Sequence, residues 1–408
     1  MRDSKTLEIS RLSHQGEGIA FVDEETWFVA KALPGETVEA QALQQRGRNV
    51  FARCSEVIKA SPDRIEPHCP LHQSCAGCDL QHISVSKQRE HKTTALLDQL
   101  ARLGQIEHAK MTVEPIVADA WGYRERARFA LERQGDRVHL AYRAPASRSP
   151  IRIKNCPVLH PQLEQALDAV RTWASESSST LLSKEIRLAL GEDGRVGIAV
   201  DGRGELAAFP GPVVDSRGTA LNEQAPLHYS SVDNLRIEFS AADFSQVNSS
   251  LNRKVTERLL SWLRPEGQRV LELFCGIGNF SIPLAKRAAE VVAVDSQQKQ
   301  LDRAAQNALR NNCHNIQFER ADLYKRVTLD IDAYTPVLAD PPRTGLGDVL
   351  PKLIKGNPPR IAYLSCDSAS FAKDAGKLVS AGYKISQLSY VDFFAQTGKI
   401  EAMALFER

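Results

Sequence analysis

Hydrophobic residues in the first 61 positions occur in short runs that alternate with polar residues. Turn residues such as Pro34-Gly35 separate the runs, which lie at 7–9, 18–22, 27–30 and 37–40. Such alternation is typical of strands with one buried face. The spacing predicts a five-stranded barrel of the OB type over residues 1–61, a fold that often binds oligonucleotides. A barrel that only caps another domain would give the same pattern.

Between residues 62 and 243 the hydrophobic residues occur in both helical and strand-like patterns. Residues 84–104 contain no proline and carry leucines at helical spacing up to Gly104, which predicts a helix. A second helix is predicted near 161–173, and strand-like segments recur from 113 to 240. We therefore expect a central α+β domain, with the helix at 84–104 packed either within it or on the domain that follows.

Strand-like apolar runs alternate with helical stretches from residue 244 to the end of the chain. The runs lie at 269–273, 291–295, 316–318, 336–339, 360–364 and 401–406. This alternation predicts a doubly wound, Rossmann-like α/β sheet. The whole chain is thus predicted to be a multidomain α/β protein, with domains at 1–61, 62–243 and 244–408.

Composition excludes some classes of protein but does not define a function. The 408 residues carry 52 Lys and Arg against 50 Asp and Glu. No apolar run reaches the roughly 20 residues that span a bilayer, and the N-terminus lacks a signal-peptide core. We expect a cytoplasmic protein with no membrane association. The sequence does not fix the oligomeric state, and we expect a monomer.

Three arginines alternate along one predicted strand of the central region. Alternation places Arg124, Arg126 and Arg128 on the same strand face. We expect this face to be either a phosphate-contacting stripe or an ordinary solvated surface.

A glycine-rich turn follows the first predicted strand of the C-terminal domain. Glycines at 276 and 278 would let the backbone approach a ligand beneath a helix N-terminus. Acidic residues lie at the ends of later strands, at Asp295, Asp322 and Asp340. This ordered set resembles class I S-adenosylmethionine-dependent methyltransferases. An α/β domain that binds another nucleoside is the alternative.

Two further residues are candidates for chemistry. Cys366 follows the predicted strand 360–364, at the sheet edge where open α/β proteins bind ligands, and could present a thiolate there. A buried and inert cysteine is the alternative. Glu401 begins the last predicted strand among apolar residues, where a lone acid is costly unless it has a function or a partner.

Several motifs in order resemble the RNA uracil-5-methyltransferase family. In the C-terminal domain they are residues 244–248, 273–280, 340–343, 365–367 and 396–401. Near the N-terminus, residues 16–20 and 33–36 resemble the TRAM domain that many members carry. The resemblance therefore covers essentially the whole chain.

The resemblance implies a role for each matched residue. Cys366 would add to C6 of uracil, and Glu401 would remove the C5 proton. The cofactor S-adenosylmethionine would be bound by Gln246, Phe274, Asn279, Asp295, Asp322 and Asp340. The target uridine would have to be unpaired or flipped out of its stack.

The chain departs from the family pattern at two places. Asp367-Ser368 stands where members commonly have Asn-Pro, and Lys399 stands where a histidine is common. We expect the charge of Asp367 to raise the pKa of the neighbouring Cys366 thiol.

Four of the eight cysteines are candidates for a metal centre. Clustered cysteines in a cytosolic chain indicate metal more often than disulfides, and four thiolates suit either zinc or an iron–sulfur cluster. The candidates are Cys69, Cys75, Cys78 and Cys156, and the nearby histidines that could compete are His68, His72 and His82. The pattern resembles the [4Fe–4S] site of the 23S rRNA enzymes of this family, which implies that cluster.

The resemblance implies that the substrate is 23S rRNA and the product 5-methyluridine. A tRNA T-loop methyltransferase is the alternative within the family, although bacterial tRNA enzymes usually lack both the TRAM domain and the cysteines. A non-catalytic, cluster-bearing RNA-binding protein is the alternative from another class. The presence of both Cys366 and Glu401 argues against it, because a pure binder needs neither.

Overall fold

The computed structural model describes residues 4–107, 109, 111–144, 149–177, 184–202, 206–325 and 330–408. The chain divides into two compact units. The first consists of Met1–Asp98, Leu140–Pro157 and Phe394–Lys399, and the second of Gln99–His139, Val158–Phe393 and Ile400–Arg408. Within the described ranges, no helix has the length and apolar character needed to cross a membrane.

The N-terminal part of the first unit is a six-stranded sheet. Its strands are β1 (Ser4–Glu8), β2 (Arg11–Leu12), β3 (Gly18–Val22), β4 (Glu25–Ala30), β5 (Thr37–Arg46) and β6 (Asn49–Lys59). They lie in the order β1-β5-β6-β4-β3-β2, with β4 parallel to β6 and the other pairs antiparallel. All four predicted runs are strands. The prediction missed β2, which is only two residues long, and β6, because most of its side chains are exposed or half-buried. The sheet therefore has six strands and not the five that were predicted.

A buried carboxylate holds the turn between β4 and β5. Glu36, which is 1% exposed, accepts hydrogen bonds from Leu33 N (2.8 Å), Ser61 N (3.2 Å) and Arg64 Nη2 (2.7 Å). Gly35 provides the left-handed backbone of this turn, at φ +81°. Burial works to raise the pKa of Glu36, but the hydrogen bonds and the charge of Arg64 hold that pKa below its usual value. The turn is thereby tied to the chain that follows β6.

The middle of the chain contains helices and short strands. They are α1 (Val85–Gly104), β7 (Arg126–Gln134), β8 (Arg137–Arg143), β9 (Pro150–Arg152), α2 (Pro161–Gln165), α3 (Leu167–Glu176), β10 (Glu185–Leu190), β11 (Val196–Ala199), β12 (Val213–Val214), β13 (Leu227–Ser230) and β14 (Arg236–Phe239). In the second unit, β12, β11, β10 and β7 are neighbours in one sheet, and β13 pairs with β14. The helix predicted near 161–173 is two helices, because α2 ends at Gln165 and Ala166 separates it from α3.

The prediction that Arg124, Arg126 and Arg128 form a phosphate-contacting stripe on one strand face is wrong. Arg124 precedes β7, which begins at Arg126. The guanidinium of Arg126 donates to Ser245 Oγ at 2.6 Å and to the carbonyls of Ala241 and Asp243 at 3.1 and 2.6 Å. Arg128 pairs with Glu185 at the surface. Arg126 therefore stabilises the turn at 241–245, and the three side chains do not form a common phosphate-binding face.

The C-terminal part of the second unit is a seven-stranded sheet flanked by helices. Its elements are α4 (Ser249–Leu263), β15 (Arg269–Leu273), α5 (Ser281–Ala285), β16 (Glu290–Asp295), α6 (Gln298–Arg310), β17 (Ile316–Arg320), β18 (Pro336–Ala339), α7 (Leu350–Gly356), β19 (Arg360–Ser365), α8 (Ser368–Ser380), β20 (Lys384–Val391) and β21 (Glu401–Glu407). The strand order is β17-β16-β15-β18-β19-β21-β20, and β21 runs antiparallel to both of its neighbours.

All six strand runs predicted in this region are confirmed. The prediction missed β20, which lies at the sheet edge. The N-terminal half of β20 (KISQ) is exposed or half-buried, and only its second half (LSYV) is buried. The four central strands β15, β16, β18 and β19 are almost wholly buried, as expected for a sheet covered on both faces.

The buried ion pair of Glu36 leads to a stability prediction. Replacing Glu36 with Ala leaves the Arg64 guanidinium without its carboxylate, so the free energy of unfolding should fall by about 3–5 kcal/mol in urea denaturation. Because the folded pKa of Glu36 is depressed, its contribution should be present above the unfolded pKa and lost as pH falls through the folded value.

Glu39 on β5 provides the matched control. Its carboxylate accepts a hydrogen bond from Thr6 in an exposed cross-strand pair, and Glu39→Ala should cost less than about 1 kcal/mol. Equal losses for the two variants would contradict the role of Glu36.

Candidate active site

The glycine-rich turn after β15 has a left-handed backbone. Phe274, Gly276 and Gly278 have φ values of 65°, 56° and 87°. Asp295, at the end of β16, accepts hydrogen bonds through its carboxylate from Gly276 N (3.0 Å) and Gln297 N (2.9 Å). From the end of β16, Asp295 therefore fixes the shape of the turn that follows the neighbouring strand β15.

A cavity of about 370 Å³ lies beside this turn, in the second unit. The predicted site residues of the C-terminal domain all line it: Gln246, Phe274, Asn279, Asp295, Asp322, Asp340, Cys366 and Glu401. Most of them lie at the carboxyl ends of parallel strands, which meet at one edge of the sheet. Glu401 reaches the same edge from the opposite direction, because it is the first residue of the antiparallel strand β21.

Asn279 is held by side chains that the sequence did not reveal. Its Oδ1 accepts from Tyr229 OH (2.7 Å) and from Asn252 Nδ2 (2.8 Å), and its Nδ2 donates to Asn252 Oδ1 (3.0 Å). The carboxamide thus ties the glycine-rich turn to α4 and β13. Nothing in the sequence marked Tyr229 or Asn252, which are distant from the motif along the chain.

Tyr324 is a second residue that the sequence analysis missed. Its ring lies 5.8 Å from the ring of Phe274, between centroids, and both line the cavity. The hydroxyl donates to Gly345 O (2.7 Å) and accepts from Thr344 Oγ1 (2.8 Å). Tyr324 therefore holds the loop that carries Arg343, another residue of the cavity wall.

Asp322 is the most exposed of the predicted acids. It lies two residues beyond β17, where its Oδ1 accepts from Tyr324 N at 3.1 Å and its Oδ2 is 3.1 Å from Lys325 Nζ. These hydrogen bonds hold the pKa of Asp322 below its usual value. Asp322 is therefore a fixed anion at the rim of the cavity.

Of the two acids near Cys366, Glu401 is buried and Asp340 is half-buried. Burial raises the pKa of Asp340 to about 7 and the pKa of Glu401 to about 8, the latter with a contribution from the charge of Asp340. Glu401 is 4% exposed, and within the described ranges its Oε2 has no hydrogen-bond partner. A buried, unpaired carboxyl group on the wall of a cavity is costly, and such groups cluster at functional sites.

The Cys366 thiol is exposed to the cavity but resists ionisation. Burial raises its pKa to about 11, the charges of Glu401 and Asp340 add to this, and Arg343 opposes it. Asp367 is not among the main causes of this shift. Its carboxylate caps α8, accepting from Ser370 N at 2.8 Å, and its effect on the thiol stays a prediction. After burial, the largest contributions to the raised pKa come from the acids across the cavity.

The four clustered cysteines all belong to the first unit and are partly buried. Burial raises the pKa of Cys78 to about 12, with contributions from Cys156 and Cys75, and burial and Cys69 raise that of Cys75. The thiols therefore lie within electrostatic range of one another. Among the residues that the structure describes, no three or more Cys, His, Asp or Glu side chains are arranged as a metal centre.

The neighbouring histidines pair with each other. His72 Nε2 lies 3.3 Å from His82 Nδ1, and burial lowers their pKa values to about 4 and about 2, so both are neutral at pH 7. His68 is exposed beside the half-buried Cys69.

Comparison with known proteins identifies the family. A family model described as tRNA (Uracil-5-)-methyltransferase matches residues 230–408, and a TRAM domain model matches residues 3–54. The 23S rRNA (uracil(1939)-C(5))-methyltransferase RlmD of Shewanella frigidimarina is 34% identical, over 98% of this chain and 95% of that protein. The protein of the same name from Pseudomonas putida is 37% identical, over 98% of this chain and 93% of that protein.

The fold is shared with a solved structure. The Pyrococcus abyssi tRNA (uracil-54, C5)-methyltransferase, in complex with S-adenosyl-L-homocysteine, superposes with a TM-score of 0.77 over 98% of this chain and 100% of that one, at 21% identity. This likeness shows that the two proteins share a fold. The chain belongs to the RNA uracil-5-methyltransferase family and carries an N-terminal TRAM domain.

The predicted family, the TRAM domain and the methyltransferase fold are thus confirmed. The cavity brings the predicted catalytic and cofactor residues together, while their individual roles and the domain boundaries near 61 and 243 stay predictions.

The electrostatics of the cavity predict how Cys366 reacts with iodoacetamide. Because its pKa is about 11, alkylation should accelerate as pH rises from 7 to 10. Removing the Glu401 charge with Glu401→Gln should speed alkylation at pH 9 about fivefold, for an interaction of about 1 kcal/mol. Mass spectrometry of the Cys366 peptide would measure the rate.

Glu407→Gln, at the far end of β21, is the control and should leave the Cys366 rate unchanged. An unchanged rate in Glu401→Gln as well would mean that Glu401 does not act on the thiol.

Proposed function

We propose that this protein transfers a methyl group from S-adenosylmethionine to C5 of a uridine in 23S rRNA. The observation that carries the proposal is the presence of Cys366, Asp340 and Glu401 in one cavity at the carboxyl edge of a methyltransferase sheet. The relatives named as 23S rRNA enzymes cover nearly the whole chain, including the TRAM domain. This coverage favours 23S rRNA over tRNA, the alternative substrate.

The cofactor would lie along the glycine-rich turn. Asp295 would accept from the ribose hydroxyls, Asp322 would lie near the base, and Phe274 and Gln246 would flank the ligand. Asn279 would act by holding the turn, since its carboxamide is already engaged by Tyr229 and Asn252. When bound, S-adenosylmethionine supplies an electrophilic methyl group on a sulfonium.

The chemistry needs a nucleophile because C5 of uracil attacks a methyl group poorly by itself. The Cys366 sulfur, after losing its proton, adds to C6, and the electron pair of the C5–C6 double bond moves into an enolate. S-adenosylmethionine, held beside the glycine-rich turn, would supply the methyl group to C5 of this enolate, and its sulfonium–methyl bond would break to leave the neutral thioether. Glu401 removes the C5 proton, the double bond forms again, and the Cys366 thiolate leaves. Glu401 must be ionised for this last step, which its pKa of about 8 permits in part at neutral pH.

The TRAM domain offers a surface suited to single-stranded RNA. Arg11 lies 5.8 Å from the ring of Phe21, a side chain that is 59% exposed. On the same sheet, Phe28 stacks on Phe51 at 5.3 Å, and Arg46 lies 5.8 Å from the Phe51 ring. Aromatic rings beside guanidinium groups stack with bases and attract the RNA backbone. These contacts support RNA as the partner.

We also propose that Cys69, Cys75, Cys78 and Cys156 hold a [4Fe–4S] cluster, with zinc as the alternative. The four thiols lie in one unit and within electrostatic range of one another. The Cys78 thiol is partly buried and is neutral at pH 7 without a metal, so its ionisation has to be coupled to metal binding. Four sulfur donors suit both metals. A bound cluster would join the loop at 69–78 to the segment after β9.

Two substitutions test the reaction. Cys366→Ala should abolish methylation of unmodified 23S rRNA, because no thiolate can add to C6. Glu401→Gln should transfer the methyl group but fail to eliminate, and should therefore trap a covalent, methylated protein–RNA adduct. Labelled methyl incorporation and denaturing gels would measure both.

Cys313→Ala removes a buried thiol that lies outside the cavity wall and should behave like the wild type. Wild-type turnover by Cys366→Ala would exclude the covalent mechanism. Methylation of a tRNA T-loop in place of 23S rRNA would exclude the proposed substrate.

Metal analysis tests the cluster. Protein purified without oxygen should contain about four irons and four sulfides per chain, and Cys78→Ser should lose most of them. Cys54→Ser, in the TRAM sheet, should keep the wild-type content. Stoichiometric zinc without iron would replace the cluster assignment.

A further inference from the structure

The segment that leads into Glu401 belongs to a different unit from Glu401. Residues Phe394–Lys399 group with the first unit, whereas Ile400–Arg408 belong to the second. Glu401 therefore begins β21 only two residues after a segment that is held by the first unit. The contacts of this short segment hold the backbone that leads into β21.

Gln396 lies at the centre of those contacts. It is 1% exposed and has a left-handed backbone, at φ +67°, which a side-chain-bearing residue adopts only when its surroundings hold it there. Its carbonyl accepts from both Asp79 N (2.9 Å) and Leu80 N (3.0 Å). Those two residues directly follow Cys78, at the end of the loop formed by residues 69–80, which we call the cysteine-bearing loop.

Gln88 on α1 holds the same residue from another side. Its Oε1 accepts from Gln396 N at 3.0 Å, and its Nε2 donates to Gln396 Oε1 at 2.9 Å. The Gln88 Nε2 is also 3.0 Å from the carbonyls of Leu80 and Ile83. Gln88 is only 2% exposed. One carboxamide therefore connects the end of the cysteine-bearing loop to the segment before Glu401.

Two more contacts fix the ends of the segment. Lys92, a fully buried residue of α1, donates from Nζ to Phe394 O at 3.0 Å. At Gly398, a Cβ would lie 1.9 Å from the Gln15 carbonyl oxygen, so only glycine allows this close approach. The backbone from 394 to 398 is thus held at three points.

We propose that Gln88 is a positioning residue for Glu401, which it places through the backbone of residues 394–399. The proposal rests on the proposed role of Glu401 as the base. Proton removal needs the carboxylate within hydrogen-bond reach of C5, and an error of about 1 Å in a catalytic group can cost about 100-fold in rate. Because Asp79 and Leu80 hold the same carbonyl, the position of Glu401 also depends on the conformation of the cysteine-bearing loop.

The test compares Gln88→Ala with Gln99→Ala. Gln99 is another buried glutamine of α1, 7% exposed, but it belongs to the second unit. Hydrogen–deuterium exchange of peptides covering 394–402 should be at least about tenfold faster in Gln88→Ala, because the Gln396 N–H loses its acceptor. Gln99→Ala should leave this exchange unchanged.

The catalytic readout is the covalent protein–RNA adduct. Since Glu401 acts only after methyl transfer, Gln88→Ala should slow elimination about tenfold or more, and the methylated adduct should accumulate during turnover. A loss of folded protein alone would lower the rate without accumulation of adduct. Gln88→Asn, which shortens the same side chain by one methylene, gives a milder variant if Gln88→Ala does not fold.

The outcomes separate this proposal from the function on which it rests. Either of two results for Gln88→Ala would overturn the role of Gln88. The first is wild-type hydrogen–deuterium exchange at 394–402. The second is faster exchange without accumulation of the adduct, although Glu401→Gln does trap one. If Glu401→Gln traps no adduct from active enzyme, the role of Glu401 as the base is wrong, and positioning by Gln88 falls with it.

Discussion

The site depends on one constraint, which is that all of its reactive groups lie at a single edge of one sheet. Strands β15, β16, β18 and β19 are parallel, so the turns that follow them open on the same side. A parallel strand beside β19 would have placed its first residue at the opposite edge. Because β21 is antiparallel, Glu401 is instead brought to the edge that carries Cys366 and Asp340. The reversed strand thus makes a thiol and a carboxyl group share one cavity.

This proximity has an electrostatic consequence that matches the proposed order of the reaction. Burial raises the pKa values of Asp340, Glu401 and Cys366; the charge of Asp340 adds to the shift of Glu401, and both acids add to the shift of Cys366. The Cys366 thiol therefore keeps its proton at neutral pH in the free protein, whereas Asp340 is about half ionised. A cationic cofactor would favour the ionised forms of the thiol and the carboxyl groups. Without such a charge the protonated thiol is a poor nucleophile.

The sequence predicted the C-terminal sheet well because its signals are local. Apolar runs, the glycine-rich turn and acids after strands follow from strand and turn chemistry within a few residues, and the cavity contains every residue predicted there. Contacts between distant residues could not be predicted. Nothing near Asn279 indicated that Tyr229 and Asn252 hold it, and the alternating arginines gave no sign that Arg126 would be enclosed by the turn at 241–245. The exposed strand faces of β6 and β20 lacked the apolar alternation on which strand prediction depends.

The cysteine-bearing loop and the site share a backbone connection that the motifs do not reveal. The same six residues, 396–401, carry the family motif at their end and a set of hydrogen bonds to the first unit at their beginning. Gln396 keeps an unfavourable left-handed backbone, and Gly398 has no room for a side chain. β21 is an interior strand between β19 and β20, and its pairing with them does not by itself require these constraints. They would serve the proposed placement of the Glu401 carboxylate.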